Sequence, residues 1–200
     1  MMDQAEKIMG IDYGSKLAGT TAAAMLVDNS LRIWQSDRGQ NADEWLLKLI
    51  NSLQPKVIYI DAPLTLPKVY VKGVYTASEE YFYRACDKEV NAMSPMFIGG
   101  LTARAIKFKA TLSESGIAVL ETYPSQLAKL LLSHLSDYKK GLAALPIHTE
   151  ALQSLLPYQV LVPPINWHQF DSLLAWLSGY RHSQQQAILY GDANEGRIIV

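Results

Sequence analysis

The sequence predicts an α/β domain built on a mixed sheet, and three observations lead there. Residues 7–36 read as a three-strand antiparallel meander. Two further apolar strands, at 57–60 and 117–120, each return after a helical stretch. Between and after them, apolar residues recur at helical spacing. Strands that return in this way run parallel and are joined by right-handed crossovers.

The first strand is Lys7 to Asp12, a short apolar run that ends in an acid. Tyr13, Gly14, Ser15 and Lys16 form a turn signal. Residues 18–27 are small and apolar, and Asp28, Asn29 and Ser30 make the second turn. Residues 31–36 alternate, with Leu31, Ile33 and Gln35 on one side. Asn41 is placed to N-cap a helix through about Leu53, whose Trp45, Leu46, Leu49 and Ile50 recur at helical spacing. Pro55 stops it, and Val57 to Ile60 is a strand closed by Asp61, Ala62 and Pro63. The stretch 62–76 carries Pro63, Pro67 and Gly73 and reads as a long loop, a kind that is often functional.

Helices are expected at about 78–89 and 101–115, the second ended by Gly116. Ile117 to Leu120 is the next strand and runs into Glu121. A helix follows from Ser125 to about Leu135, and another lies near 149–156. The longest runs from Trp167 to His182, with Phe170, Leu173, Leu174 and Leu177 as its apolar stripe. Short strands at 186–190 and 197–200 close the chain. With no repeat or linker, the reading is one domain, 1–200, with a helical and loop insertion at about 62–115.

Hydrophobic content of 49% against 18% charged residues excludes a disordered chain. Cys86 is the single cysteine, so no internal disulfide can form, which suits a reducing compartment. No apolar run is long enough to span a membrane, and the start lacks the apolar core of a signal peptide. The expected location is the cytoplasm. Net charge is −1, so the basic signature of a dedicated nucleic-acid binder is missing. Any nucleic-acid contact has to come from a local patch. Oligomeric state is not written in the sequence, and a homodimer stays open.

Three strands end alike: the first in Asp12, the fourth in Asp61 and the fifth in Glu121. Ligands of open α/β sheets sit outside the carboxyl ends of the parallel strands. Neighbouring strands lie about 4.8 Å apart, so the three carboxylates would span roughly 10 Å if those strands are adjacent. Carboxylates that close repel one another and call for a cation. Oxygen-only ligands suit Mg²⁺ or Mn²⁺, and two such ions about 4 Å apart can clamp a phosphodiester displacement. Asp171 on the last long helix is a fourth acid, with His168 three residues earlier on the same face. His168 is a candidate proton shuttle or metal ligand. Singly, each residue has an ordinary explanation as a turn, cap or surface group. The repetition at three strand ends is what points to a site.

The same residues carry a resemblance. Gly10 to Lys16 with Ala18, Gly19 and Thr20, then Ile60 to Leu64, Arg84 to Asp87, Glu121 to Pro124, Tyr138 with Lys139, and Phe170 to Ala175 are similar, in order, to the domain-of-unknown-function 429 family. Gly191 and Glu195 to Ile198 continue the likeness. Members of that family are described as predicted RNase H-like nucleases. The resemblance implies an RNase H-like fold, a five-stranded sheet of order 3-2-1-4-5 with strand 2 antiparallel, flanked by helices. It implies metal-dependent cleavage of DNA or RNA, with Asp12, Asp61, Glu121 and Asp171 as the acidic, metal-holding set. This chain has His168 where many members are expected to carry another acid; some junction resolvases of the same superfold look similar in pairing His with Asp there.

Other residues are candidates for substrate contact. Ser15 and Lys16 lie in the turn after Asp12, and Arg84, held by Asp87, could grip a phosphate. Arg104 and Lys107 share a helical face, and Lys139 follows Tyr138. A salt bridge or a solvated surface explains each equally well or better. Tyr70, Tyr75, Tyr81, Phe82 and Tyr83 are more readily loop packing than stacking surfaces for bases. Cys86 reads as structural. The leading function is therefore a metal-dependent nuclease. One alternative is a nucleotide-binding module related to actin-like and sugar-kinase ATPases, whose phosphate loop also follows an acid at the first strand's end. Another is a non-catalytic scaffold.

Overall fold

The computed structural model describes residues 4–73 and 75–200. In chain order its elements are β1 (Ile8–Asp12), β2 (Ala22–Val27), β3 (Ser30–Gln35), α1 (Ala42–Leu53), β4 (Val57–Asp61), α2 (Lys68–Lys72), α3 (Ala85–Val90) and α4 (Gly99–Glu114). Then come β5 (Ala118–Glu121), α5 (Pro124–Leu131), α6 (Leu145–Leu155), α7 (Trp167–Ser183), β6 (Leu189–Asp192) and β7 (Gly196–Ile199).

Five strands form one sheet in the order β3-β2-β1-β4-β5, with β2 antiparallel to both neighbours and β1, β4 and β5 mutually parallel. This is the RNase H-like arrangement. β6 and β7 form a separate hairpin. Every residue of β1 is buried, as expected of a central strand covered on both faces. One face carries Ile8, Ala24, Leu26 and Tyr59 against Phe170, Leu173 and Trp176 of α7. The other carries Met9, Ile11, Ile58 and Ile60 against Leu46 and Ile50 of α1 and Ala105, Phe108 and Leu112 of α4.

Local sequence accounts for several boundaries. The Asn41 side chain caps α1 by accepting from the Asp43 N–H. Gly116, at φ 72°, lets the chain turn out of α4. The edge of β3 is covered by residues 159–161, where Leu31 exchanges backbone hydrogen bonds with Gln159 and Leu161.

The expected helix at 78–89 shrinks to Ala85–Val90. Glu80 accepts from the Phe82 and Tyr83 N–H groups and holds that segment in a turn instead. Tyr70, Tyr75 and Tyr81 pack ring to ring, with centroids 6.3 to 6.4 Å apart, as loop packing predicts.

α7 lies flush on β1 and runs antiparallel to it. Two glycines permit this. A Cβ on Gly10 would stand 2.1 Å from the Trp176 nitrogen and 2.4 Å from the Ser172 carbonyl oxygen. A Cβ on Gly179 would stand 2.5 Å from the Tyr59 ring. The close approach brings the first turns of α7 over the end of β1.

Candidate metal centre

Asp12 and Asp61 are register partners in the parallel β1–β4 ladder. Directly paired residues of neighbouring strands project to the same face, so both side chains emerge on the α7 side. α7 supplies the third acid. Its start is fixed by Asn166, which accepts from the Gln169 N–H and donates to Gln35 of β3. The first turn then places His168 and Asp171 above the strand ends. One carboxylate oxygen from each of Asp12, Asp61 and Asp171 lies within 4.8 Å of the others.

The surroundings make this cluster electrostatically tense. Burial, then repulsion from Asp12, pushes the Asp61 carboxyl well above the usual range. Burial raises Asp171 to about 6, against the attraction of Lys139. His168 Nδ1 lies 2.8 Å from Asp12 Oδ2, and that hydrogen bond raises the imidazole pKa. Asp171 Oδ1 accepts from the Tyr138 hydroxyl, while its Oδ2 forms an ion pair with the Lys139 ammonium. The Lys139 pKa is raised: burial disfavours its charge, and the attraction of Asp171, Asp61 and Asp12 outweighs that.

The residues fit a hard divalent cation. All three offer carboxylate oxygens, the donor type such ions prefer. Asp171 Oδ2 is buried and already faces a cation, the Lys139 ammonium. The Thr122 hydroxyl, next in line beside Asp61, is buried with no hydrogen-bond partner among the described residues, a polar atom left over for a ligand. A cleft of about 240 Å³ is lined by Asp12, Asp61, Thr122 and Tyr123, by Met93 and Ile98, and by the buried Arg84, Asp87 and Glu121.

Glu121 departs from the expectation. It pairs in register with Ile60, one residue short of Asp61. In a pleated strand that single step turns its side chain to the opposite face. There both of its oxygens are taken by Arg84, at 2.6 and 2.7 Å, and Oε2 also accepts from the Leu64 N–H. Arg84 departs with it. Its side chain is fully buried, and Asp87, Glu121 and Thr65 occupy its donors, so it has no face to offer a phosphate. The two form a buried ion network that ties β5 to α3. Cys86 is buried beside this network, and burial lifts its thiol to about 12, which suits a structural role.

Three other candidates sit elsewhere. Arg104 donates to Asp43 and to the Gly14 carbonyl and lies 4.7 Å over the Tyr13 ring. It braces the turn after β1. Together with Lys16 and Lys107 it lines a separate cavity of about 340 Å³ between α1 and α4. Ser15 is exposed in the same turn, and its N–H donates to Thr20. Lys139 brings its ammonium onto Asp171 while 39% of its side chain stays exposed to solvent. Tyr138 was visible in the sequence only as part of a motif. Its role as donor to Asp171 has no local signal, because the partners are 33 residues apart.

No model of a known protein family matches the chain, and no curated protein matches it in sequence. Among solved structures, the chain is similar to the yeast mitochondrial Holliday junction resolvase Ydc2, with a TM-score of 0.41 and 14% identity. The match covers 91% of this chain and 84% of that one. At so low a score the likeness says nothing about the site's residues. No helix among the described residues is long and apolar enough to cross a membrane.

Proposed function

We propose that this protein is a metal-dependent nuclease that hydrolyses phosphodiester bonds of DNA or RNA at the Asp12, Asp61 and Asp171 cluster. The observation that carries the reading is the convergence of three carboxylates, from two adjacent strands and a helix, within 4.8 Å. The RNase H-like sheet and the resemblance of the site motifs to domain-of-unknown-function 429 support it.

Asp12 and Asp61 would hold Mg²⁺ or Mn²⁺ between them, and Asp171 would close the ligand set. The chemistry such an ion supplies is polarisation of a phosphoryl oxygen and a lowered pKa for water. His168, hydrogen-bonded to Asp12 and 43% exposed, is placed to pass protons between the site and solvent. Tyr138 orients Asp171 by donating to Oδ1. Glu121 and Arg84 act at a distance by anchoring the end of β5.

The nucleotide-binding alternative depends on free N–H groups in the turn after β1. Those of Gly14 and Ser15 donate instead to the hydroxyls of Thr21 and Thr20. The test is Mn²⁺-dependent cleavage across single-stranded, duplex and branched DNA and RNA, with Asp12→Asn beside the wild type. Cleavage that needs the ion and disappears in the variant supports the reading. Cleavage that survives both Asp12→Asn and Asp171→Asn overturns it.

A further inference from the structure

The loop between α5 and α6 carries the cluster's own positive charge. Asp137 and Lys139 both adopt the left-handed conformation, at φ 69° and 63°, which non-glycine residues rarely take without a reason. The loop is pinned on both sides of Lys139. Tyr138 packs edge-on against Trp167 at 5.2 Å, lies 6.2 Å from Phe170 and donates to Asp171. The Trp167 indole N–H donates to the Gly141 carbonyl. Both contacts lead to α7, the helix that presents Asp171. The ammonium of Lys139 is therefore delivered to Asp171 Oδ2 by a built loop, not by a free surface chain.

We infer that Lys139 is a resident cation of this centre and that the cluster takes one divalent ion, where a lysine-free version would take two. The inference rests on the metal reading above and narrows it. Charge favours the arrangement. Three carboxylates carry three negative charges, and one divalent ion with one ammonium balances them. A second divalent ion beside Lys139 would leave the buried site with two uncompensated positive charges, and it would compete with the ammonium for the same oxygen. Two ions sharing a carboxylate site need its oxygens free on both sides. Here Tyr138 holds Asp171 Oδ1, Lys139 holds its Oδ2, and His168 holds one oxygen of Asp12.

The experiment counts ions on the full chain. Mn²⁺ binding is measured by isothermal titration calorimetry and by the electron paramagnetic resonance signal of free Mn²⁺, for wild type, Lys139→Met and Lys139→Gln. Near-ultraviolet circular dichroism reports folding. The expected result is one Mn²⁺ per wild-type chain and two per folded neutral variant. Two ions on the wild type would overturn the inference while leaving the metal site intact. So would a folded neutral variant that binds one ion with unchanged affinity, or none at all. If neither wild type nor variants bind Mn²⁺, the metal reading itself fails and takes this inference with it. Should both variants fail to fold, the wild-type count alone decides.

Discussion

Asp12 and Asp61 stand side by side in the β1–β4 ladder, while Glu121 is matched with Ile60 and so points through the sheet to the other face. The three acids look equivalent in sequence, yet only the glutamate is bonded to Arg84, although its charge still adds to the repulsion that raises Asp61.

Asp61→Asn replaces a half-buried carboxyl whose ionised form Asp12 and the other nearby acids repel. The metal-free variant is expected to melt at a higher temperature than metal-free wild type, because a neutral amide relieves that repulsion. Addition of Mn²⁺ is expected to raise the melting temperature of the wild type and leave the variant unmoved. Cleavage should fall by about 10²-fold or more. Thermal unfolding with and without Mn²⁺, alongside a cleavage assay, checks all three.

Glu121→Ala acts on stability instead. It leaves the Arg84 guanidinium, fully buried, with only Asp87 and Thr65 as partners. Breaking a buried pair from one side costs about 3–5 kcal/mol. Urea unfolding should show a loss of that order, with Mn²⁺ binding per folded chain unchanged. A folded variant that no longer binds Mn²⁺ would return Glu121 to the metal centre.

Gly10→Ala tests the seating of α7. The new methyl would meet the backbone of Trp176 and Ser172, which cannot give way as a flexible side chain can. Helix and strand must separate, at a cost near the upper end of overpacking effects, about 3 kcal/mol. Because α7 carries both His168 and Asp171, weaker Mn²⁺ binding is expected alongside the lower urea midpoint.

The pH dependence has a definite sign. The Asp171 carboxyl is raised to about 6 in the fold, against about 3.9 for an ordinary aspartate. Between these values the folded protein binds more protons than the unfolded chain, so stability falls as pH rises through that window. His168, also raised, contributes stability at low pH that is lost as pH rises, in the same direction. Metal-free wild type should therefore lose stability relative to Asp171→Asn between about pH 4 and pH 6, as read from urea midpoints. Mn²⁺ binding should strengthen over the same range, because its ligands must be deprotonated.

Local patterns by themselves determined much of this protein. The meander, the two strands that return after helices, the capping role of Asn41 and the exit at Gly116 all rest on interactions within a few residues. So does the placement of His168 and Asp171 on one turn, since helical spacing alone brings i and i+3 together. Asp12 and Asp61 were legible because each ends a strand. Only the tertiary structure decided which strand-end acids face one another. Ile117 to Leu120 is apolar on both sides, so nothing local sets the face of Glu121, and its register is settled by hydrogen bonds to β4. The inward path of Lys139 and the burial of Arg84 were equally hidden. Each depends on partners 32 or more residues away, Asp171 in one case and Glu121 in the other, and no periodicity in a single chain encodes a contact of that range.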